Sequence, residues 1–158
     1  GWDEIQKADL KPNSVAQYWA NAKNAKTAIK KNAKILMSPA QYAYLDMQYD
    51  SLSPFGLHWA SYISIKKAYD WIPDQLVDGI EEENIIGIEA PLWSETISNF
   101  EELSYLAFPR LLGYAEIGWS KTDQRNWDEY QNRLIEHGFL LDSLSINYYR
   151  SPKVAWKE

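Results

Sequence analysis

Val15-Ala16-Gln17-Tyr18-Trp19, then Asn21 to Lys31, then Ala33-Lys34-Ile35-Leu36-Met37-Ser38 follow one another almost without a gap, and their reading decides the fold. The first run has strand character, the second is rich in Ala and Lys and favours helix, and the third fits a buried strand. The order is strand, helix, strand. Further along, Ile85-Ile86-Gly87-Ile88-Glu89 reads as another β-branched strand. Apolar spacing at Leu103, Tyr105-Leu106, Leu111-Leu112 and Ala115 predicts a helix over Asn99 to Gly118, which Pro109 should kink or divide. Asp123 to His137 predicts a last amphipathic helix with Trp127, Tyr130 and Leu134 on one face and Gly138 as its C-cap. Apolar strands alternating with helices imply an α/β fold with a parallel sheet and crossover helices. Long loops follow the strands, notably Tyr42 to Tyr62, and in a barrel of this type such loops form the active site.

With 158 residues, 46% hydrophobic and 24% charged, the chain is sized and composed like a globular domain, and no segment approaches the apolar length of a membrane span. The net charge of −6 comes with dispersed Lys and Arg, so neither nucleic acid nor an anionic membrane surface is an expected partner. A neutral ligand fits better. The lack of cysteine excludes disulfides, thiol catalysis and Cys-based zinc sites, and the distant His58 and His137 do not suggest a metal site; no cofactor is implied. Compartment is left open, a secreted or periplasmic location being the favoured side, and any leader would lie upstream of Gly1-Trp2-Asp3-Glu4-Ile5 or have been removed. There is no internal repeat and no low-complexity linker, so residues 1–158 read as one continuous unit.

Aromatic residues reach 15%, with eight Trp and eleven Tyr, more than core filling demands. Trp2-Asp3-Glu4 opens the chain, and Trp19, Tyr44-Leu45-Asp46 and Trp93-Ser94-Glu95 each fall at or soon after the end of a predicted strand. A pyranose offers an apolar face and a rim of hydroxyls, so its site needs flat rings and carboxylates or amides, and these segments supply both. On extended backbone, Tyr44 and Asp46 would point to one side, as would Trp93 and Glu95. The plainer reading of each pair is a core aromatic beside a solvated acid.

Leu36-Met37-Ser38-Pro39 leading to Tyr44-Leu45-Asp46, then Trp59 and Tyr69-Asp70-Trp71, resembles glycoside hydrolase family 20, the β-N-acetylhexosaminidases. Gly87-Ile88-Glu89-Ala90-Pro91-Leu92-Trp93-Ser94-Glu95, Phe108-Pro109-Arg110-Leu111 and Ala115-Glu116-Ile117-Gly118-Trp119-Ser120 extend the resemblance over nearly the whole chain. It implies removal of terminal non-reducing N-acetylhexosamine from a glycan or glycoside by a retaining, substrate-assisted mechanism in which the acetamido oxygen attacks the anomeric carbon. By the same resemblance, Trp2, Trp19 and Trp93 enclose the acetamido group and sugar face, and Tyr44 hydrogen-bonds the acetamido oxygen. Asp46 and Glu95 accept from the O4 and O6 hydroxyls, and Trp59 borders the leaving group. Loss of Glu95 is expected to weaken binding by about 1–3 kcal/mol.

The general acid of that family is a Glu in a stretch resembling His-x-Gly-Gly-Asp-Glu, and none occurs here. Asp3-Glu4 follows Trp2, a ring that comes after the acid segment in the family, so this pair reads as structural. Arg110 and Glu116 read as structural ion-pair residues. A (β/α)8 barrel takes about 250 residues, so the chain is expected to be the C-terminal half of a TIM barrel, roughly strands five to eight. Its expected partner is the N-terminal half, on the same polypeptide or another chain, because a lone half exposes strand edges and helix faces. Two alternatives remain at this stage: a non-catalytic N-acetylglucosamine-binding module, and a barrel glycosidase of other specificity.

Overall fold

The computed structural model describes residues 1–156. Three parallel strands, β1 (Val15–Tyr18), β2 (Lys34–Met37) and β3 (Ile85–Ile88), form one sheet in the order β1-β2-β3. Helix α1 (Ala22–Lys30) crosses from β1 to β2. Asn21 caps it by accepting from the Lys23 and Asn24 amides, and Asn32, at φ 63, takes the left-handed turn that ends it. The connection from β2 to β3 is longer and holds two short helices, α2 (Ala40–Ala43) and α3 (Ile65–Asp70), neither of which the sequence pattern predicts. Six residues are too few for a periodic signal; the local cues for α3 are its Ser64 cap and the Lys66–Asp70 pair one turn apart.

After β3 come α4 (Phe100–Ala107), α5 (Arg110–Trp119) and α6 (Trp127–Ser143). Pro109 divides α4 from α5 as expected, since it brings no N–H and its ring obstructs the preceding turn. Helix α6 corrects a sequence expectation: it runs through Gly138 to Ser143. Gly138 is there for space. A Cβ on it would lie 3.1 Å from both the Trp156 ring and the Tyr148 hydroxyl, so the glycine lets the C-terminal segment pack against the helix. Tyr149 of that segment stacks on Tyr49 at 4.0 Å, closing the chain onto the loop after β2.

The sheet has two unlike faces. Ala16, Tyr18, Ile35 and Met37 are buried in a core shared with Ala25 and Ala28 of α1. On the other face Val15, Gln17 and Leu36 are only half-buried, so strands expected to be covered on both sides are covered on one. Ile86 of β3 is 55% exposed and Trp119 at the end of α5 is 93% exposed, beside a groove of about 750 Å3 between β3 and α5. At the opposite edge Trp2 pairs in parallel with Gln17 of β1.

Candidate active site

The candidate site is assembled at the C-terminal ends of the strands. Tyr44 ends α2, and Leu45-Asp46 form a turn, so the expected extended geometry of the Tyr44/Asp46 pair is not what the chain adopts. Trp93 and Glu95 likewise run from irregular backbone into a turn. What brings the two segments together is a backbone bond, from the Leu45 amide to the Pro91 carbonyl at 2.8 Å. The Asp46 carbonyl accepts from the Leu57 amide at 2.9 Å, and the Gln48 amide donates to the Leu57 carbonyl at 2.6 Å. Gly56, at φ +94, makes that approach possible, since a Cβ there would sit 2.6 Å from the Asp46 carbonyl oxygen.

The five rings selected from the sequence form one connected wall. Trp2 lies 5.6 Å from Trp93, Trp93 6.2 Å from Tyr44, Tyr44 6.0 Å from Trp59, and Trp59 6.3 Å from Trp19, centroid to centroid. All four spacings are ordinary for tilted and edge-on ring pairs. Tyr44 is buried, whereas Trp59 and Trp93 keep 57% and 42% of their surface exposed. Large rings left open at the mouth of a buried polar group are suited to stacking on a ligand.

Among these rings stand an acceptor and a donor. Asp46 is 2% exposed, and its buried Oδ1 has no hydrogen-bond partner. Burial pushes its pKa up; the backbone amides of Asp46 and Trp93 and the charge of Arg110 pull it down, while the charge of Glu95 adds to the rise. Burial also pushes the Tyr44 phenol up to about 12, opposed by hydrogen bonding from Trp93 and reinforced by the charges of Asp46, Asp3 and Glu89. Tyr44 is therefore an O–H donor at any physiological pH. Glu95 is exposed, at the rim.

Asp3 is buried and accepts from the amides of Trp19, Ala20 and Asn21 at 3.3, 3.1 and 2.6 Å, so it holds the turn out of β1 that presents Trp19. That is a structural task. Glu116 accepts from Arg133 at 2.6 and 2.7 Å and from the Tyr69 hydroxyl, the ion pair expected of it. Arg110 departs from the expectation, since its hydrogen bonds go to backbone carbonyls. A contact not singled out from the sequence joins all three strands: Gln17 Nε2 donates to Ser38 Oγ at 3.0 Å and to Glu89 Oε1 at 3.1 Å. Its signal was positional, because each residue sits at or just past a strand's C-terminal end.

A family model described as "Glycosyl hydrolase family 20, catalytic domain" matches residues 1–122. The chain belongs to glycoside hydrolase family 20. Among curated family relatives, a Beta-N-acetylhexosaminidase of Cellulomonas fimi is 40% identical over 159 residues, covering 99% of this chain and 32% of the relative. A Beta-hexosaminidase of Akkermansia muciniphila is 28% identical, with 99% and 33% covered. Among solved structures, the GH20 beta-N-acetylhexosaminidase from Streptomyces coelicolor A3(2) superposes with a TM-score of 0.93 at 37% identity, covering 99% of this chain and 33% of that one. The N-acetyl-beta-hexosaminidase of Streptomyces plicatus in complex with Thio-NAglucal gives 0.93 at 36% identity, again over 99% and 33%. The chain thus spans about a third of the length of these relatives.

Proposed function

We propose that the chain is the sugar-gripping, C-terminal half of the (β/α)8 catalytic barrel of an exo-acting β-N-acetylhexosaminidase. The observation that carries this reading is the buried, unpartnered Oδ1 of Asp46 beside the protonated Tyr44, under a wall of Trp2, Trp19, Trp59 and Trp93. A buried acceptor without a partner is costly unless a ligand hydroxyl completes it, and a sugar brings both that hydroxyl and an apolar face for the rings. The substrate is a glycan or glycoside ending in N-acetylhexosamine. Tyr44 donates to the acetamido oxygen, holding it for attack on the anomeric carbon and stabilising the charge that develops; Asp46 and Glu95 accept from the sugar hydroxyls, and Trp59 borders the leaving group.

Proton transfer to the leaving oxygen falls to a carboxylic acid on the N-terminal half, carried by the same polypeptide or a second chain. Support comes from the structural work already assigned to Asp3, from the one-third coverage of the relatives, and from the exposed Ile86 and Trp119 at the groove along β3. The test is hydrolysis of an aryl N-acetyl-β-glucosaminide. The full-length polypeptide should turn it over, this chain alone should not, and adding the N-terminal half should restore activity. Tyr44→Phe in the full-length enzyme should lower kcat by roughly a hundredfold or more while moving KM little, as for loss of a donor to a developing charge. Robust turnover by residues 1–158 alone would overturn the half-barrel reading.

A further inference from the structure

Arg110 is one of the most deeply buried side chains in the molecule, 1% exposed, at the first residue of α5, and it forms no salt bridge among the described residues. Its guanidinium lies 3.8 Å from the Tyr49 ring centroid. One terminal nitrogen donates to the carbonyls of Leu45 at 2.6 Å and Leu106 at 2.7 Å, the other to Met47 at 2.8 Å and Ile63 at 3.2 Å. Leu45 and Met47 flank Asp46. A buried cation is expensive to desolvate, and satisfying four carbonyls with one planar fork is a task only Arg performs.

We infer that Arg110 is a positioning residue for Asp46: by holding the carbonyls on either side of it, the guanidinium fixes the turn that aims the unpartnered carboxylate oxygen into the ring-lined site. The inference rests on the proposed role of Asp46 as a sugar-hydroxyl acceptor. The turn is closed by the Met47 amide on the Tyr44 carbonyl at 3.3 Å and tied to neighbouring loops by the Leu57-to-Asp46 and Leu45-to-Pro91 backbone bonds, while Arg110 tethers it from α5. Tyr49 supports it from two directions, with its ring against the guanidinium and its hydroxyl donating at 2.8 Å to the Phe108 carbonyl between α4 and α5.

The test is a double-mutant cycle in the full-length enzyme with Arg110→Lys and Asp46→Asn, read as kcat/KM on an aryl N-acetyl-β-glucosaminide. Lys keeps the charge but loses the fork, so Arg110→Lys should lower kcat/KM by roughly ten- to a hundredfold, mainly through KM. In the Asp46→Asn background the same change should cost less than about threefold, because the carboxylate being aimed is gone and the neutral amide oxygen in its place accepts a hydroxyl more weakly. A purely structural arginine would instead give multiplicative losses, and that result overturns the proposal. If Asp46→Asn alone leaves kcat/KM unchanged, it is the sugar-acceptor reading that fails, which separates the two outcomes. Should Arg110→Lys not fold, as judged by circular dichroism, Tyr49→Leu takes its place. It removes the ring from the guanidinium and carries the same expectation of a loss that vanishes beside Asp46→Asn, multiplicative losses again overturning the proposal.

Discussion

Asp46 and Glu95 show how two carboxylates of one site come to differ. Both were singled out in the sequence through their spacing after aromatic residues, but their burial could not be read there, because it depends on which loops close over them. Asp46 is enclosed and Glu95 is exposed. In the full-length enzyme Asp46→Asn should therefore weaken sugar binding by about 2–3 kcal/mol, while Glu95→Gln should cost about 1 kcal/mol, the lower end of what its motif implied. Calorimetry with N-acetylglucosamine would rank them. The raised pKa of Asp46 adds a pH signature. As pH falls through that raised value the acceptor is protonated, so affinity should decline at a pH where an exposed Asp is still ionised, and Asp46→Asn should lack this acidic limb. Stability of the unliganded protein has the opposite sign. A raised acid pKa contributes stability that is fully present below the unfolded value and lost as pH rises through the folded one.

At the scale of elements, the parts that local sequence dictates were readable and the parts that depend on contact were not. β1, α1, β2 and β3 fall where residue type and spacing put them, because a β-branched run or an Ala/Lys-rich stretch carries its preference locally. The loop from Tyr42 to Tyr62 was read as long and functional, yet the turn at Leu45-Asp46, the bridge from Met47 to Leu57 and the left-handed Gly56 arise from packing between distant residues. Gly56 is the sensitive point of this loop. Gly56→Ala combines a positive φ with a 2.6 Å clash against the Asp46 carbonyl, so it should destabilise the fold by about 1–3 kcal/mol and weaken sugar binding more than an equally destabilising change in α6. Thermal melts beside binding titrations would show it. The same loop is pinned at its far side by Tyr149, whose hydroxyl donates to Asp50 at 2.5 Å. That hydrogen bond is the main cause lowering the Asp50 pKa, so its contribution exists above the ordinary value of 3.8 and is lost as pH falls through the lowered one. Tyr149→Phe should shift acid unfolding to higher pH.

For the whole molecule, the question is what covers the groove between β3 and α5. Trp119, at the end of α5, is 93% exposed there and Ile86, on the edge strand β3, is 55% exposed, and apolar surface of this kind promotes association in water. On the proposed half-barrel reading the occupant is the rest of the barrel, in keeping with a chain that spans about a third of the length of its relatives. The two situations make Trp119→Lys behave oppositely. In residues 1–158 alone the substitution removes an exposed ring and adds a solvated charge, so solubility should rise and the melting temperature should hardly move. In the full-length enzyme the same lysine would be forced into a packed interface without a partner, and stability should fall by about 2–4 kcal/mol in denaturant unfolding. If instead the lysine is equally harmless in the full-length protein, the groove stays open there, and the rest of the polypeptide does not close a barrel across β3.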